Sequence, residues 1–129
     1  MIRLELPLAP SANAIWGSGR GRIYKSNIYK QWLEESSWMI KTQTKESVPR
    51  DYILQVVAKR PDKRRRDLDN LLKATSDLLV RTGIVTDDNF CRAIVAEWVD
   101  FGPPMVVKIY PLDQQEAEWW TEIPAMFRN

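Results

Sequence analysis

The sequence contains no histidine and only one cysteine, Cys91. Histidine is the commonest general acid–base group and a frequent zinc ligand, so its absence excludes histidine-based triads and histidine-ligated zinc. A single cysteine excludes an internal disulfide and a zinc site built from several cysteines. A reducing compartment is therefore expected. Any enzyme chemistry must depend on carboxylates, lysines, metal ions and water.

Long apolar runs are also missing. None approaches the roughly 20 residues that a membrane-spanning helix needs. The first seven residues mix charged with apolar side chains and lack the apolar stretch of a signal peptide. We expect no membrane partner and a cytoplasmic location. With 129 residues and 44% hydrophobic content, the chain is predicted to form one domain, 1–129, around one core.

Hydrophobic periodicity predicts the elements. Alternation predicts a strand at 2–7, β-branched and aromatic residues predict strands at 52–58, 92–100 and 105–110, and a 3.6-residue period predicts helices at 27–44 and 67–82. Residues 101–104 suggest a hairpin-like connection, and the tail a short helix near 114–120. The order β-α-β-α-β-β predicts an α+β fold with a mixed sheet and helices packed on it.

Positive charge is concentrated in Lys59–Arg66, here called the basic run, which holds six cations and one anion. Such a local concentration indicates contact with a polyanion, although a basic run is also commonly a solvated face. The candidate phosphate contacts in this run are Lys59, Arg64, Arg65 and Arg66.

A second basic segment lies at residues 9–26, where three alternating glycines accompany Arg20, Arg22 and Lys25. This composition predicts a mobile loop. It is not a P-loop, because no Gly-Lys-Ser/Thr opens a helix after it. Two interpretations have equal weight. Either these three cations contact phosphates, or the segment is an ordinary surface loop. Trp16 in this segment is a candidate for stacking on an unpaired base.

Carboxylates follow the basic run directly. Asp67 and Asp69 fall in the first turn of the predicted helix, Lys73 lies on the same arc as Asp69, and Asp87 and Asp88 follow the helix after Gly83. The structural alternatives are an N-cap, an i,i+4 ion pair between Asp69 and Lys73, and a turn. The functional alternative is a set of three carboxylates that holds Mg²⁺ for phosphodiester cleavage, with a lysine stabilising the developing charge.

These residues resemble the RusA family of Holliday junction resolvases, small endonucleases of bacteria and phages. The resemblance implies that the cytoplasm is that of a bacterium or of the host of a phage. The resemblance rests on Arg-Arg-Arg-Asp-Leu-Asp-Asn-Leu-Leu-Lys-Ala at 64–74, on Gly83 with the later aspartate pair, and on Pro10-Ser11-x-Asn13. It implies a homodimer that binds four-way junction DNA and nicks two strands symmetrically with Mg²⁺, or with Mn²⁺ in its place, and without a small-molecule cofactor. Carried over by position, the resemblance assigns metal binding to Asp67, Asp69 and Asp88, with Asp87 the less favoured of its pair, and makes Lys73 the essential lysine.

The predicted function is therefore a Mg²⁺-dependent endonuclease that resolves four-way junctions in DNA recombination and repair, with Asp67, Asp69, Lys73 and Asp88 as catalytic residues. Two alternatives stay open. One is a non-catalytic DNA-binding module in which the aspartates are caps and turns, and the other is a nuclease for other branched DNA.

Overall fold

The computed structural model describes residues 1–19 and 21–112. A four-stranded sheet forms its centre, with the strands in the order β1-β6-β4-β5. These strands are β1 (Ile2–Leu6), β4 (Tyr52–Lys59), β5 (Cys91–Val99) and β6 (Met105–Pro111). Strands β1, β6 and β4 pair antiparallel, whereas β4 and β5 are parallel. The predicted α+β class with a mixed sheet is confirmed.

Strand β4 lies between β5 and β6, so the predicted hairpin-like pairing of the last two strands is wrong. Residues Tyr52–Val56 are buried without a break, which is the pattern of a strand covered on both faces. A strand of this kind is most stable inside the sheet. The connection at residues 101–104 therefore carries the chain past β4 rather than into a tight turn.

Helix α1 (Asn27–Gln43) begins as predicted. The Ser26 hydroxyl oxygen accepts a hydrogen bond from the Tyr29 N–H at 3.1 Å, the bond that defines a side-chain N-cap. Trp32, Leu33 and Ile40 are buried against the sheet, but Ile28, expected on the same stripe, is 65% exposed. The buried stripe therefore begins at Tyr29, one residue later.

Helix α2 (Leu72–Arg81) connects β4 to β5, and it starts later than predicted. Residues Leu68–Leu71 form a 3-10 turn before it. In this turn the Asn70 N–H donates to the Asp67 carbonyl at 3.2 Å, and the Asp67 side chain makes no capping bond. The predicted side-chain cap is therefore wrong, because the tighter i→i+3 bonding uses the backbone of Asp67 instead. Gly83 ends the helix with a φ of 78°, as predicted.

The glycine-rich segment predicted as a loop contains ordered structure. A 3-10 turn at Ala12–Ala14 leads into a two-stranded hairpin, β2 (Trp16–Gly19) and β3 (Arg22–Lys25), which is separate from the main sheet. The prediction of a mobile loop is therefore wrong. Gly21, with a φ of 74°, supplies the left-handed conformation that a tight hairpin turn requires.

The core fills the space between the main sheet and the two helices. Leu4, Leu54, Leu78 and Ile109 are almost completely excluded from solvent. Among the described residues, no helix is both long and apolar enough to cross a bilayer. The predicted tail helix near 114–120 lies outside the described residues.

Candidate active site

A cleft of about 600 Å³ opens where the basic run meets the start of α2. One wall is the segment Leu8–Ser11, and Trp98 of β5 contributes another. The polar side chains Arg65, Arg66, Asp67 and Asn70 also line it. The fold therefore brings the Pro10-Ser11 motif, the basic run and the first carboxylate of the sequence motif to one place.

Asp67 and Asp69 are both exposed at this end of the helical connection. Their backbone carbonyls accept the 3-10 hydrogen bonds from Asn70 and Leu72. Within the described residues, neither carboxylate takes part in an ion pair. Both side chains are thus accessible and are not committed to holding the fold together.

The basic run is shaped by the one acidic residue inside it. Asp62 accepts a hydrogen bond from Arg66 Nη2 at 2.8 Å and another from the Arg64 N–H at 3.0 Å. These bonds, the one from the Arg66 guanidinium first, lower the pKa of the Asp62 carboxyl. Asp62 therefore fixes a local turn that leads the arginines towards the cleft, while Arg64 and Arg65 stay exposed.

Lys73 lies on the first turn of α2 and pairs with Asp77, not with Asp69. The distance from Lys73 Nζ to Asp77 Oδ1 is 3.2 Å. The Asp69–Lys73 ion pair, one of the structural alternatives, is therefore not formed, because the ammonium reaches one turn forward along the helix. Lys73 remains largely exposed, with 61% of its side chain accessible.

Asp87 and Asp88 differ in what they bind. The Asp87 carboxylate accepts a hydrogen bond from the Asn89 N–H at 3.0 Å and so caps the 3-10 turn Asp88–Phe90. This bond is the main cause of the lowered pKa of Asp87, with a smaller contribution from the Asp88 side chain. Asp87 therefore already has a structural role, which fits the sequence preference for Asp88 as the ligand of the pair.

The position of Asp88 follows from the sheet. Strands β4 and β5 are parallel and begin together, with Tyr52 paired to Cys91, so Asp88 lies at the edge where both strands start. Its charge adds to burial and to the Cys91 thiol in raising the pKa of Tyr52. Asp67 and Asp69 instead follow the other end of β4.

No three acidic or cysteine side chains lie close enough to hold a metal ion within residues 1–19 and 21–112. Asp67, Asp69 and Asp88 are thus not gathered into one group in this structure. Their joint role as metal ligands stays a prediction.

The remaining predicted DNA contacts lie in two separate segments of the chain. Lys59 is exposed at the end of β4, and Arg22 and Lys25 lie on β3. Arg20 lies outside the described residues. The neighbouring Arg60 stacks on the indole of Trp98, 5.8 Å from the ring centroid. Trp98 and the segment Leu8–Ser11 are cleft residues that sequence reasoning did not place there, although the Pro10-Ser11 motif was a signal for the second.

A larger groove, of about 1160 Å³, runs between α1 and the end of α2. Lys30, Lys41 and Arg81 line it together with Glu34 and Glu35. It also includes Lys25, a candidate phosphate contact, but it contains none of the candidate catalytic residues. The smaller cleft at Asp67 is therefore the better candidate for chemistry on DNA.

Exposed carboxylates beside concentrated cations on a small α+β fold are typical of metal-assisted nucleases. The family model described as Endodeoxyribonuclease RusA matches residues 5–110. The chain therefore belongs to the RusA family of endodeoxyribonucleases, and the expected enzyme class is confirmed.

Individual relatives agree with the family model. The chain is 32% identical over 84 residues to the crossover junction endodeoxyribonuclease of Enterobacteria phage HK97, covering 64% of this chain and 70% of that protein. It is 33% identical over 86 residues to the protein of the same name from Escherichia coli K12, covering 66% and 72%. For the Aquifex aeolicus relative, identity is 27% over 86 residues, covering 66% and 68%. These relatives come from bacteria and from a phage.

Proposed function

We propose that this protein is a Mg²⁺-dependent endonuclease that resolves four-way DNA junctions by paired symmetric nicks in recombination and repair. The observation that carries the proposal is the cleft lined by Asp67 together with Arg65, Arg66 and the Pro10-Ser11 segment. The relatives' names, which specify crossover junctions, support the substrate. Bacterial or host cytoplasm, where such DNA occurs, is the proposed location.

The chemistry of the donors fits a hard divalent cation. Mg²⁺ is usually bound through one or two carboxylates together with waters and substrate phosphate oxygens. Asp67 occupies a cap position without making a cap bond, and Asp69 is equally uncommitted. We assign metal binding to these two, with Mn²⁺ as the alternative ion. Asp88, which lies at the other end of β4, is the proposed third ligand on the resemblance alone. When bound, the cation polarises a phosphoryl oxygen and lowers the pKa of a water molecule.

The chain's own cations act on the DNA backbone. Arg65 and Arg66 line the cleft beside Asp67. A guanidinium group can bind phosphate oxygens through two parallel hydrogen bonds, which Arg65 offers directly and Arg66 offers once it leaves Asp62. Lys59 and Arg64 extend the same contact along the strand. Lys73 lies one turn after Asp69, and its ammonium is paired with Asp77 at 3.2 Å. Released from that pair, it can stabilise negative charge that develops on the phosphate.

Symmetry supports a homodimer. A four-way junction has approximate two-fold symmetry, and an isologous dimer presents the same surface twice. One active site would then face each of two equivalent strands, as paired nicks require. No small-molecule cofactor enters this scheme.

A labelled synthetic four-way junction, incubated with the protein in Mg²⁺ and in EDTA, tests the proposal. We expect symmetric nicks only in Mg²⁺, and we expect Asp69→Asn to abolish cleavage while junction binding persists. The matched control is Glu46→Gln, which removes an exposed carboxylate from the segment between α1 and β4, before the end of β4 that lies away from Asp69.

The proposed substrate and the proposed activity can each be refuted separately. A junction that is bound but never cut would favour the DNA-binding module. Equal or faster cleavage of three-way or flap DNA would indicate a nuclease for other branched substrates. If Asp69→Asn cleaves as fast as the wild type, Asp69 is not a catalytic residue.

A further inference from the structure

The β2–β3 hairpin projects from the fold with large apolar side chains in solvent. Ile23 is 78% exposed and Trp16 is 55% exposed. Large apolar groups clustered on one small element usually mark a binding surface. The hairpin is therefore a candidate binding element outside the cleft at Asp67.

Pairing within the hairpin decides which side chains share a face. Trp16 pairs with Lys25 and Ser18 pairs with Ile23. Residues directly opposite in an antiparallel pair point to the same side, and residues two apart along a strand do so as well. Trp16, Ile23 and Lys25 therefore lie on one face, which combines two apolar side chains with a cation.

The other face explains why the hairpin is rich in glycine. Tyr24 is paired with Gly17, and its ring lies across β2. A Cβ atom on Gly17 would come within 2.9 Å of the Tyr24 ring, and one on Gly19 within 3.5 Å of its hydroxyl oxygen. Gly17 thus makes room for a tyrosine that packs on the ribbon, whereas a Cβ on Gly19 would make only ordinary contact with it. This packing leaves Trp16 and Ile23 uncovered on the opposite face.

Charge identifies the kind of partner. Between Glu5 and Glu34 the sequence contains four cations and no acidic residue, and three of those cations lie in residues 20–25. A polyanion matches this distribution, whereas a second copy of the same hairpin would bring like charges together. Nucleic acid combines phosphates with flat apolar bases, so it fits both the cations and the apolar face.

The hairpin is anchored beside the cleft. The Ser26 N–H donates to the Ile15 carbonyl at 2.9 Å, and the Ser26 hydroxyl donates to the Ala14 carbonyl. The 3-10 turn Ala12–Ala14 packs in turn against α2 and the turn that precedes it. The base of the hairpin is therefore fixed to the elements that carry Asp67 and Asp69.

We propose that the β2–β3 hairpin inserts Trp16 and Ile23 between unstacked bases at the branch point of junction DNA, and that this contact distinguishes a junction from a duplex. The inference rests on the proposed function and assigns its structural selectivity to one element. A duplex keeps its bases stacked, so this apolar face has little to bind there. A branch point exposes base faces on which an indole can stack.

The test compares affinity for a four-way junction with affinity for a duplex of the same arm sequence, both in EDTA so that no cleavage intervenes. Stacking of one base on an aromatic side chain implies that Trp16→Ser weakens junction binding by about 5- to 150-fold. Duplex affinity should hardly change, and Trp16→Phe should restore most of the junction affinity. Ile23→Ser should reduce the ratio of the two affinities in the same direction.

Trp38→Ser is the matched control, because Trp38 is 69% exposed on α1 and outside the hairpin. It should leave both affinities unchanged. Photocrosslinking from 5-iododeoxyuridine at the branch point should join the DNA to Trp16, and the crosslink should survive Trp38→Ser.

Other outcomes overturn the inference. Equal loss on junction and duplex after Trp16→Ser would reduce the hairpin to a general phosphate contact. A fall in sedimentation mass after Trp16→Ser, without a change in the ratio of affinities, would show that the apolar face binds a second copy instead. In both cases the protein could still cut junctions in Mg²⁺, so the proposed function would stand. If the wild-type protein neither binds a junction more tightly than a duplex nor cuts it, both this inference and the proposed function would be refuted.

Discussion

Replacing Asp67 with alanine separates a structural role of this residue from a catalytic one. The carboxylate stands where a side-chain cap would stand, yet it makes no capping hydrogen bond. A working cap contributes about 0.5–2 kcal/mol to stability, and none of that should be lost here. What remains is attraction to the positive end of the helix, about 0.3–1 kcal/mol at low ionic strength.

High salt screens this remaining attraction between the Asp67 carboxylate and the positive end of the helix. In about 1 M salt the Debye length is roughly 3 Å, so an exposed carboxylate hardly interacts with the helix end. We therefore expect Asp67→Ala to change the free energy of unfolding by less than about 0.5 kcal/mol in 1 M NaCl. Urea denaturation followed by circular dichroism, at low and high salt, measures this. Ser26→Ala is the positive control, because Ser26 makes a true cap bond to Tyr29 and its loss should cost about 1 kcal/mol.

Cleavage, unlike stability, should be strongly reduced by Asp67→Ala. Stabilisation of transition-state charge by a bound metal is worth several kcal/mol, and each 1.36 kcal/mol corresponds to a factor of ten in rate. Losing one ligand should therefore slow Mg²⁺-dependent junction cleavage by at least about a hundredfold. Junction binding in EDTA should persist or tighten, since a negative charge beside phosphates is removed. An Asp67→Ala protein that loses 1 kcal/mol or more in high salt, as a lost cap would predict, and still cleaves would refute the reasoning.

Three further predictions concern groups outside the cleavage step. Ser36 is buried, and its hydroxyl has no hydrogen-bond partner among the described residues, so Ser36→Ala should raise the free energy of unfolding by about 1 kcal/mol; a lower melting temperature would contradict this. Asp62→Asn should release Arg66 from its 2.8 Å ion pair for phosphate contact, which should tighten duplex binding and steepen its salt dependence by about 0.9 in log–log slope; an unchanged slope would argue against it. Burial raises the pKa of the Cys91 thiol, so iodoacetamide should modify folded protein more slowly than urea-unfolded protein at neutral pH. The difference between the two rates should narrow as the pH rises. Equal rates at neutral pH would contradict the burial of this thiol.

Hydrophobic periodicity was enough to predict which segments form strands and helices, but not which strands pair with one another. Alternation in Ile2–Leu6 and the leucine spacing around Leu78 are local consequences of having one buried face, and both elements formed as expected. Strand pairing is not local, so nothing in residues 91–111 revealed that β4 would separate β5 from β6. The nearly continuous apolar character of β4, interrupted by Gln55, was the available signal, because a strand buried on both faces lies inside the sheet.

The hairpin and the start of α2 were missed for different reasons. Glycine has low strand propensity, so Gly17 and Gly19 favoured a loop prediction. The strand forms because the missing side chains admit the Tyr24 ring, a contact that composition does not encode. At Asp67 the sequence suits a cap, but the turn that follows adopts 3-10 geometry, which composition does not distinguish from α-helix. The residue types at the cleft could be predicted from the sequence, whereas the walls supplied by Leu8–Ser11 and Trp98 depend on tertiary packing.

The place of β6 in the sheet has a consequence for how the protein is made. This strand is the last one along the described chain, yet it lies between β1 and β4 and bonds to both. During synthesis β1 emerges first and has no neighbour in the sheet until residues 105–111 appear. Its pairing therefore spans about the whole described length, a long-range closure of the kind that slows folding. Nascent chains that stop short of Met105 would leave the amino-terminal strand as an unpaired edge, open to chaperones and to association with other chains.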